Sequence, residues 1–183
     1  MKFFGKYLDL IERAIRSVDH SLLRDVADAI MDVSARSKKI ILAGNGGSAA
    51  MASHVAVDLT KAARIRSINF NEADLLTCFA NDYGYENVFE KAVEFYGDEG
   101  DLLVLISSSG QSKNVLNAAK KARGMDIGVI TLTGFRRDNQ LRQMGDFNLW
   151  VNSTSYNVVE MTHHIWLVAI VDYIISKIEQ PLS

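Results

Sequence analysis

"DLLVLISSSGQSKNVLNAAKKARGM" spans residues 101–125. Residues 102–106 are apolar without a break, as expected of a strand buried on both faces in a parallel sheet. From residue 112 onward the apolar positions follow helical spacing. Between the two lies a glycine set in a run of serines. A strand, a polar turn and a helix in that order are half of a βαβ unit.

The same alternation extends in both directions. Upstream, "KKIILAG" (38–44) reads as a strand and "SAAMASHVAVDLTKAA" (48–63) as a helix. "DLLTCFA" (74–80) reads as a second strand and "YENVFEKAVEFYG" (85–97) as a helix. Downstream come a strand over 126–134, a short helix near 137–143, a strand over 147–152 and a closing helix over 157–179. "FRRDNQLR" (135–142) reads as a solvated helical segment. Two amphipathic helices, 4–17 and 21–36, precede the alternating part. The pattern predicts an α/β fold with a central parallel sheet and helices on both faces. The lone proline, Pro181, is near the C-terminus, so no Pro-rich linker divides the chain. One domain is expected over 1–183, with helices in 1–37 and the α/β core in 38–183.

Composition narrows the function classes. The 183 residues are 48% hydrophobic and 23% charged, with a net charge of −2. That balance argues against general nucleic-acid binding through a basic surface. Cys78 is the one cysteine, so an internal disulfide is impossible and a reducing compartment is expected. The N-terminal stretch carries charges throughout, unlike a signal peptide. No apolar run reaches the ~18 residues of a membrane span. The expectation is a cytoplasmic protein with no membrane partner.

Ligands of open parallel sheets bind where strands lead into helices. Two such junctions are Gly/Ser-rich. "GNGGSAA" (44–50) follows the first strand, with Asn45, Gly46 and Ser48 in the turn. It is neither a Walker loop nor a Rossmann fingerprint. "ISSSGQS" (106–112) carries Ser107, Ser108, Ser109 and Ser112. One serine at a helix start is ordinary capping. Four of them, with the free amides of a helix N-terminus, can enclose a phosphate without a lysine.

These loops, with "FANDYGYENVFEKAV" and "ITLTG", resemble the SIS (sugar isomerase) domain family, and within it the phosphoheptose isomerase branch. The likeness runs from about residue 38 to the C-terminus, and the two leading helices fit it. It implies a flavodoxin-like three-layer sandwich, a homotetramer built through the N-terminal helices, and active sites between subunits. It implies isomerisation of sedoheptulose 7-phosphate to a heptose 7-phosphate, a step of surface-polysaccharide (lipopolysaccharide) synthesis. By the same resemblance Ser107, Ser108, Ser109 and Ser112 bind phosphate. Asn45, Gly46, Ser48 and Asp82 belong to the sugar site. No organic cofactor is implied, and zinc is, because some members bind it.

Ketose–aldose interconversion moves a proton through an enediol and needs a base and an acid. "SHVAVDL" sets His54 and Asp58 four residues apart, on one helix face. The resemblance makes the second position the base, with aspartate here in place of glutamate. In the closing helix, "VVEMTHH" places Glu160 and His164 four apart and His163 about 100° around from His164. The family's late catalytic histidine is missing, with Val168 or Leu167 in its place. His164, one turn earlier, is the replacement as acid or metal ligand, with His163 the second choice. His54, Asp58, Glu160 and His164 together make an N/O donor set suited to zinc or another divalent metal. A non-catalytic SIS module that binds a phosphosugar or a replication-initiator protein stays open, as does another sugar phosphate as substrate.

Overall fold

The apolar residues of the central strands alternate between two cores. In β1 (Ile40–Gly44), Ile40 and Leu42 enter one core while Ile41 and Ala43 enter the other. β3 (Leu102–Ser107) divides in the same way, with Leu102, Val104 and Ile106 opposite Leu103 and Leu105. A strand points successive side chains to opposite faces, so helices must cover both. A computed structural model, describing residues 2–179, shows that arrangement. Pro181 lies outside the described residues.

The sheet has five strands in the order β2-β1-β3-β4-β5, all parallel. Its other members are β2 (Ser67–Asn69), β4 (Gly128–Thr133) and β5 (Phe147–Trp150). The helices are α1 (Lys2–Ile15), α2 (His20–Ala35), α3 (Gly47–Lys61), α4 (Ala73–Tyr83), α5 (Val88–Tyr96), α6 (Lys113–Gly124) and α7 (Tyr156–Glu179). Helices α2, α3 and α7 pack on one face; α4, α5 and α6 pack on the other. This is the flavodoxin-like sandwich expected, and its strand order reverses between β1 and β3. The two Gly/Ser loops leave the sheet at that switch point.

Two elements differ from the sequence reading. Residues 74–80 belong to helix α4, and the second strand is the three-residue β2. A short apolar run fits either state by periodicity. Tertiary packing decides it: Leu75, Leu76, Phe79 and Ala80 meet the second core at helical spacing. Asp74 in the first turn suits a helix N-terminus. The segment expected as a solvated helix over 135–142 is instead a turn followed by a 3-10 helix, Leu141–Met144. It is anchored from within by Asn139 and Leu141, both fully buried.

Helix α7 is long and apolar enough to cross a membrane by length and composition. Here it is a core helix. Val159, Trp166, Leu167, Ile170, Val171 and Ile174 pack in the first cluster. The Trp166 indole donates to the Ile15 carbonyl at 2.9 Å, tying α7 to the end of α1.

Candidate active site

The serine loop is built around Gly110, whose φ is +63°. A Cβ there would sit 2.0 Å from the Asn139 amide oxygen. Asn139 donates to Thr133 Oγ1, Gly134 O and Arg136 O, so it has little room to yield. Gly110→Ala is therefore expected to cost about 2–4 kcal/mol, from a left-handed backbone and a buried clash together. Urea unfolding checks this; an unchanged midpoint would contradict it.

The serines divide their hydroxyls between the loop and the cavity. Ser107 Oγ accepts from Gly110 N at 3.2 Å, and Ser109 Oγ accepts from Gln111 N at 3.3 Å. Ser112 stands at the N-cap of α6 yet makes no side-chain cap bond. Ser108 Oγ is buried without a hydrogen-bond partner among the described residues. A buried hydroxyl left unpaired costs free energy, so this one is available to bond a polar ligand. Capping does not explain these serines.

Around them is a cavity of about 100 Å³, lined by the four serines, Asn45, Ser48, Ile106, Tyr156 and Glu160. That volume suits a phosphate-sized head, not a whole heptose. No lysine or arginine is in this lining; its donors are hydroxyls, amides and the N-terminus of α6. Glu160 comes from α7 and leans on the start of α3. A Cβ at Gly47 would lie 2.5 Å from its Oε2, so glycine makes room for the carboxylate. On the other flank, Asn45 and Asn114 exchange carboxamide hydrogen bonds at 3.0 and 2.8 Å. Tyr85 Oη donates to Asn45 Oδ1 at 2.8 Å. Asn114 and Tyr85 were not picked out by motif; the "SKNV" and "NDYGY" stretches carry no signal for this pairing.

One turn beyond Glu160, His164 meets the face of α3. His54 Nδ1 and His164 Nε2 are 2.8 Å apart, and His54 Nε2 lies 3.2 Å from Asp58 Oδ2. The carboxylate sets the tautomers. His54 gives its Nε2–H to Asp58 and accepts at Nδ1 from His164 Nε2–H. His164 Nδ1 is then left with a free lone pair. Burial lowers the His164 pKa below the usual histidine value; His54 lowers it further and Asp58 partly offsets both. The ring is therefore neutral at pH 7 and able to accept a proton.

The remaining expected residues fall elsewhere. His163 is wholly buried, its Nε2 3.0 Å from the Thr133 carbonyl. It presents no surface to a substrate, so the structure does not support it as an acid. Burial pushes its pKa down to about 4. The folded state thus refuses a proton that the unfolded state accepts below about 6.5. The stabilisation is full above that pH and fades as pH falls toward 4, by about 3 kcal/mol. Unfolding free energies between pH 7 and 4.5 should fall more steeply for wild type than for His163→Met. Equal slopes would refute this. Asp82 is exposed on α4, bonded to Asn81 and near Cys78, and does not line the serine cavity. Leu167 lies in the core, whereas Val168 is half-buried beside His54 and His164 in an open groove. Of the two places for the absent late histidine, only Val168 faces the site.

The four residues proposed as metal ligands do not converge. Among the described residues no group of three or more His, Cys, Asp or Glu side chains is placed to hold a metal. His54 spends one nitrogen on Asp58 and the other on His164, so these three form a chain rather than a cage. Glu160 lines the serine cavity instead.

The SIS domain family model matches residues 2–134. The phosphoheptose isomerase of Helicobacter pylori (strain ATCC 700392 / 26695) is 32% identical over 179 residues, covering 94% of this chain and 92% of that protein. That of Aliarcobacter butzleri is 35% identical over 169 residues, covering 89% and 88%. The solved structure of phosphoheptose isomerase GmhA from Neisseria gonorrhoeae superposes with a TM-score of 0.89 at 30% identity, over 96% of this chain and 97% of that one. The chain belongs to the SIS domain family, on its phosphoheptose isomerase branch.

Proposed function

We propose that this protein is a ketose–aldose isomerase that converts sedoheptulose 7-phosphate to a heptose 7-phosphate. The observation that carries the reading is a juxtaposition. A cation-free serine cavity with an unpaired buried hydroxyl lies one helical turn from the Asp58–His54–His164 chain. The names of its relatives on the same branch support the same activity.

In this reading the phosphate enters the serine cavity and meets the Ser107–Ser112 hydroxyls and the amides of α6. The rest of the heptose lies along α7, toward His164. His164 Nδ1 takes the proton from carbon 1 of the ketose while Asp58, through His54, stabilises the imidazolium that forms. An acid protonates the carbonyl oxygen to give the enediol. Return of a proton to carbon 2, with loss of the one on oxygen 1, yields the aldose. In this reading Asp58, expected as the base itself, acts only through two imidazoles, and His164, expected as the acid or a metal ligand, takes the base's place. No step is routed through a metal, because the donors available do not close around one.

Assembly is part of the proposal. Phe3, Phe4 and Leu8 of α1 are 63–70% exposed, and Met161 and Ile165 on the outer face of α7 are also exposed. An apolar face of that extent fits a homo-oligomer, a tetramer in this reading. Cytoplasmic location and a role in surface-polysaccharide synthesis follow from the same assignment. A thermal-shift series with sugar phosphates, paired with a turnover assay with and without zinc, tests it. Binding with turnover supports the isomerase. Binding without turnover under any metal condition replaces it with a phosphosugar-binding module.

A further inference from the structure

We propose that Asn114 and Tyr85 are positioning residues that fix the carboxamide of Asn45 with an N–H toward the ligand. This rests on reading the serine cavity as the phosphosugar site. Asn45 and Ser48 are the side chains of the first loop that line that cavity, and the use of Asn45 depends on which end it presents. A carboxamide can face a ligand with oxygen or with N–H, and the two ends select opposite partners.

The polarity is set by a backbone group. The Val115 amide, which also donates to the Ser112 carbonyl at 3.1 Å, donates to Asn114 Oδ1 at 3.0 Å, so turning Asn114 over would set donor against donor. Its Nδ2 then donates to Asn45 Oδ1 at 2.8 Å, and its Oδ1 accepts from Asn45 Nδ2 at 3.0 Å. Tyr85 Oη adds a second donor to Asn45 Oδ1 at 2.8 Å. Both lone pairs of that oxygen are occupied. One Asn45 N–H is paired with Asn114, and the second is left over. Only a donor remains to meet the cavity, where it suits a phosphate or sugar oxygen.

The clamp is itself held from α6. Gly84, with φ +83°, ends α4 and turns the chain into the 3-10 helix Tyr85–Asn87. Asn117 Nδ2, one turn beyond Asn114 on α6, donates to Glu86 O and Asn87 Oδ1 at 3.0 and 3.1 Å. One helix therefore orients Asn45 directly and fixes the turn from which Tyr85 reaches it. Asn114 is buried, so its pairing is protected from water; the Tyr85 ring is 59% exposed, so losing its hydroxyl leaves the core untouched.

The test compares Tyr85→Phe, Asn45→Ala and the double variant. In the unliganded protein, the Asn45 side-chain amide protons, assigned by their loss in Asn45→Ala, should be resolved and slow to exchange. They should exchange faster in Tyr85→Phe at an unchanged Tm. By calorimetry, Tyr85→Phe should weaken sedoheptulose 7-phosphate binding about three- to tenfold, the scale of one hydrogen bond. Adding it to Asn45→Ala should change nothing further, because the hydroxyl acts through Asn45. Unchanged amide exchange, or an equal loss of affinity in both backgrounds, overturns the proposal. Failure of the wild type to bind any phosphate, with the amide result intact, overturns the site reading and leaves the clamp standing.

Discussion

Replacing His164 with alanine is expected to lower kcat at least about 100-fold, the ordinary scale for losing general acid–base catalysis. KM should change little, since His164 does not line the serine cavity that grips the phosphate. Fold stability should also hold, because the ring is half-buried at a groove rather than in the core. Asp58→Asn should lose a similar factor by a different route. The amide no longer dictates which nitrogen of His54 carries the proton, and the free lone pair on His164 Nδ1 is no longer assured. If the three residues act as a chain, the two losses will not add in the double variant. The pH profile gives an independent sign. Because burial and His54 hold the His164 pKa below the ordinary value, the neutral base persists as the medium turns acidic. The acid limb of kcat should therefore lie below the ~6.5 of a free imidazole. An acid limb above that value, or a His164→Ala enzyme with near-normal kcat, would remove His164 from the chemistry.

Glu160→Gln is expected to move binding and turnover in opposite directions. The carboxylate shares a small cavity with the proposed phosphate site, and no cation in that lining offsets it. Charge repulsion at these separations is worth about 1 kcal/mol or more even when partly screened. Removing it should tighten inorganic phosphate binding about tenfold. Glutamine keeps the shape that packs on Gly47, so the loop should stay in place. Turnover should fall about tenfold, because a carboxylate accepts from sugar hydroxyls more strongly than an amide does. Calorimetry with phosphate and steady-state kinetics with the sugar read the two effects separately. Phosphate affinity equal to wild type would mean that Glu160 does not face the anion.

Local signals made much of this structure legible in advance. The strands β1, β3 and β4 are apolar on both faces, and that alone marks a covered parallel sheet. The serine loop was legible because four hydroxyls at one junction exceed what helix capping requires. Spacing of four residues also placed His54 with Asp58, and Glu160 with His164, on single helix faces. What local pattern does not contain is how α3 and α7 meet. His163 and His164 are neighbours separated by one 100° step: one is sealed against Thr133 and the other touches His54. That difference is fixed by the rotation of α7 on the sheet. β2 escaped notice because three residues carry no periodicity, and 74–80 read as a strand because tertiary packing settles so short a run. The Asn45–Asn114–Tyr85 contacts join residues 40 and 69 positions apart and are a product of the fold alone.

The activity proposed for this site is movement of a proton between neighbouring carbons of a phosphorylated ketose. Proton NMR of sedoheptulose 7-phosphate with the protein in deuterium oxide tests it directly. The expected result is growth of an aldose anomeric signal with deuterium at carbon 2, because the enediol collects its proton from a solvent-exchanged group. A ketose spectrum that stays unchanged, with zinc added and with zinc removed, would contradict it.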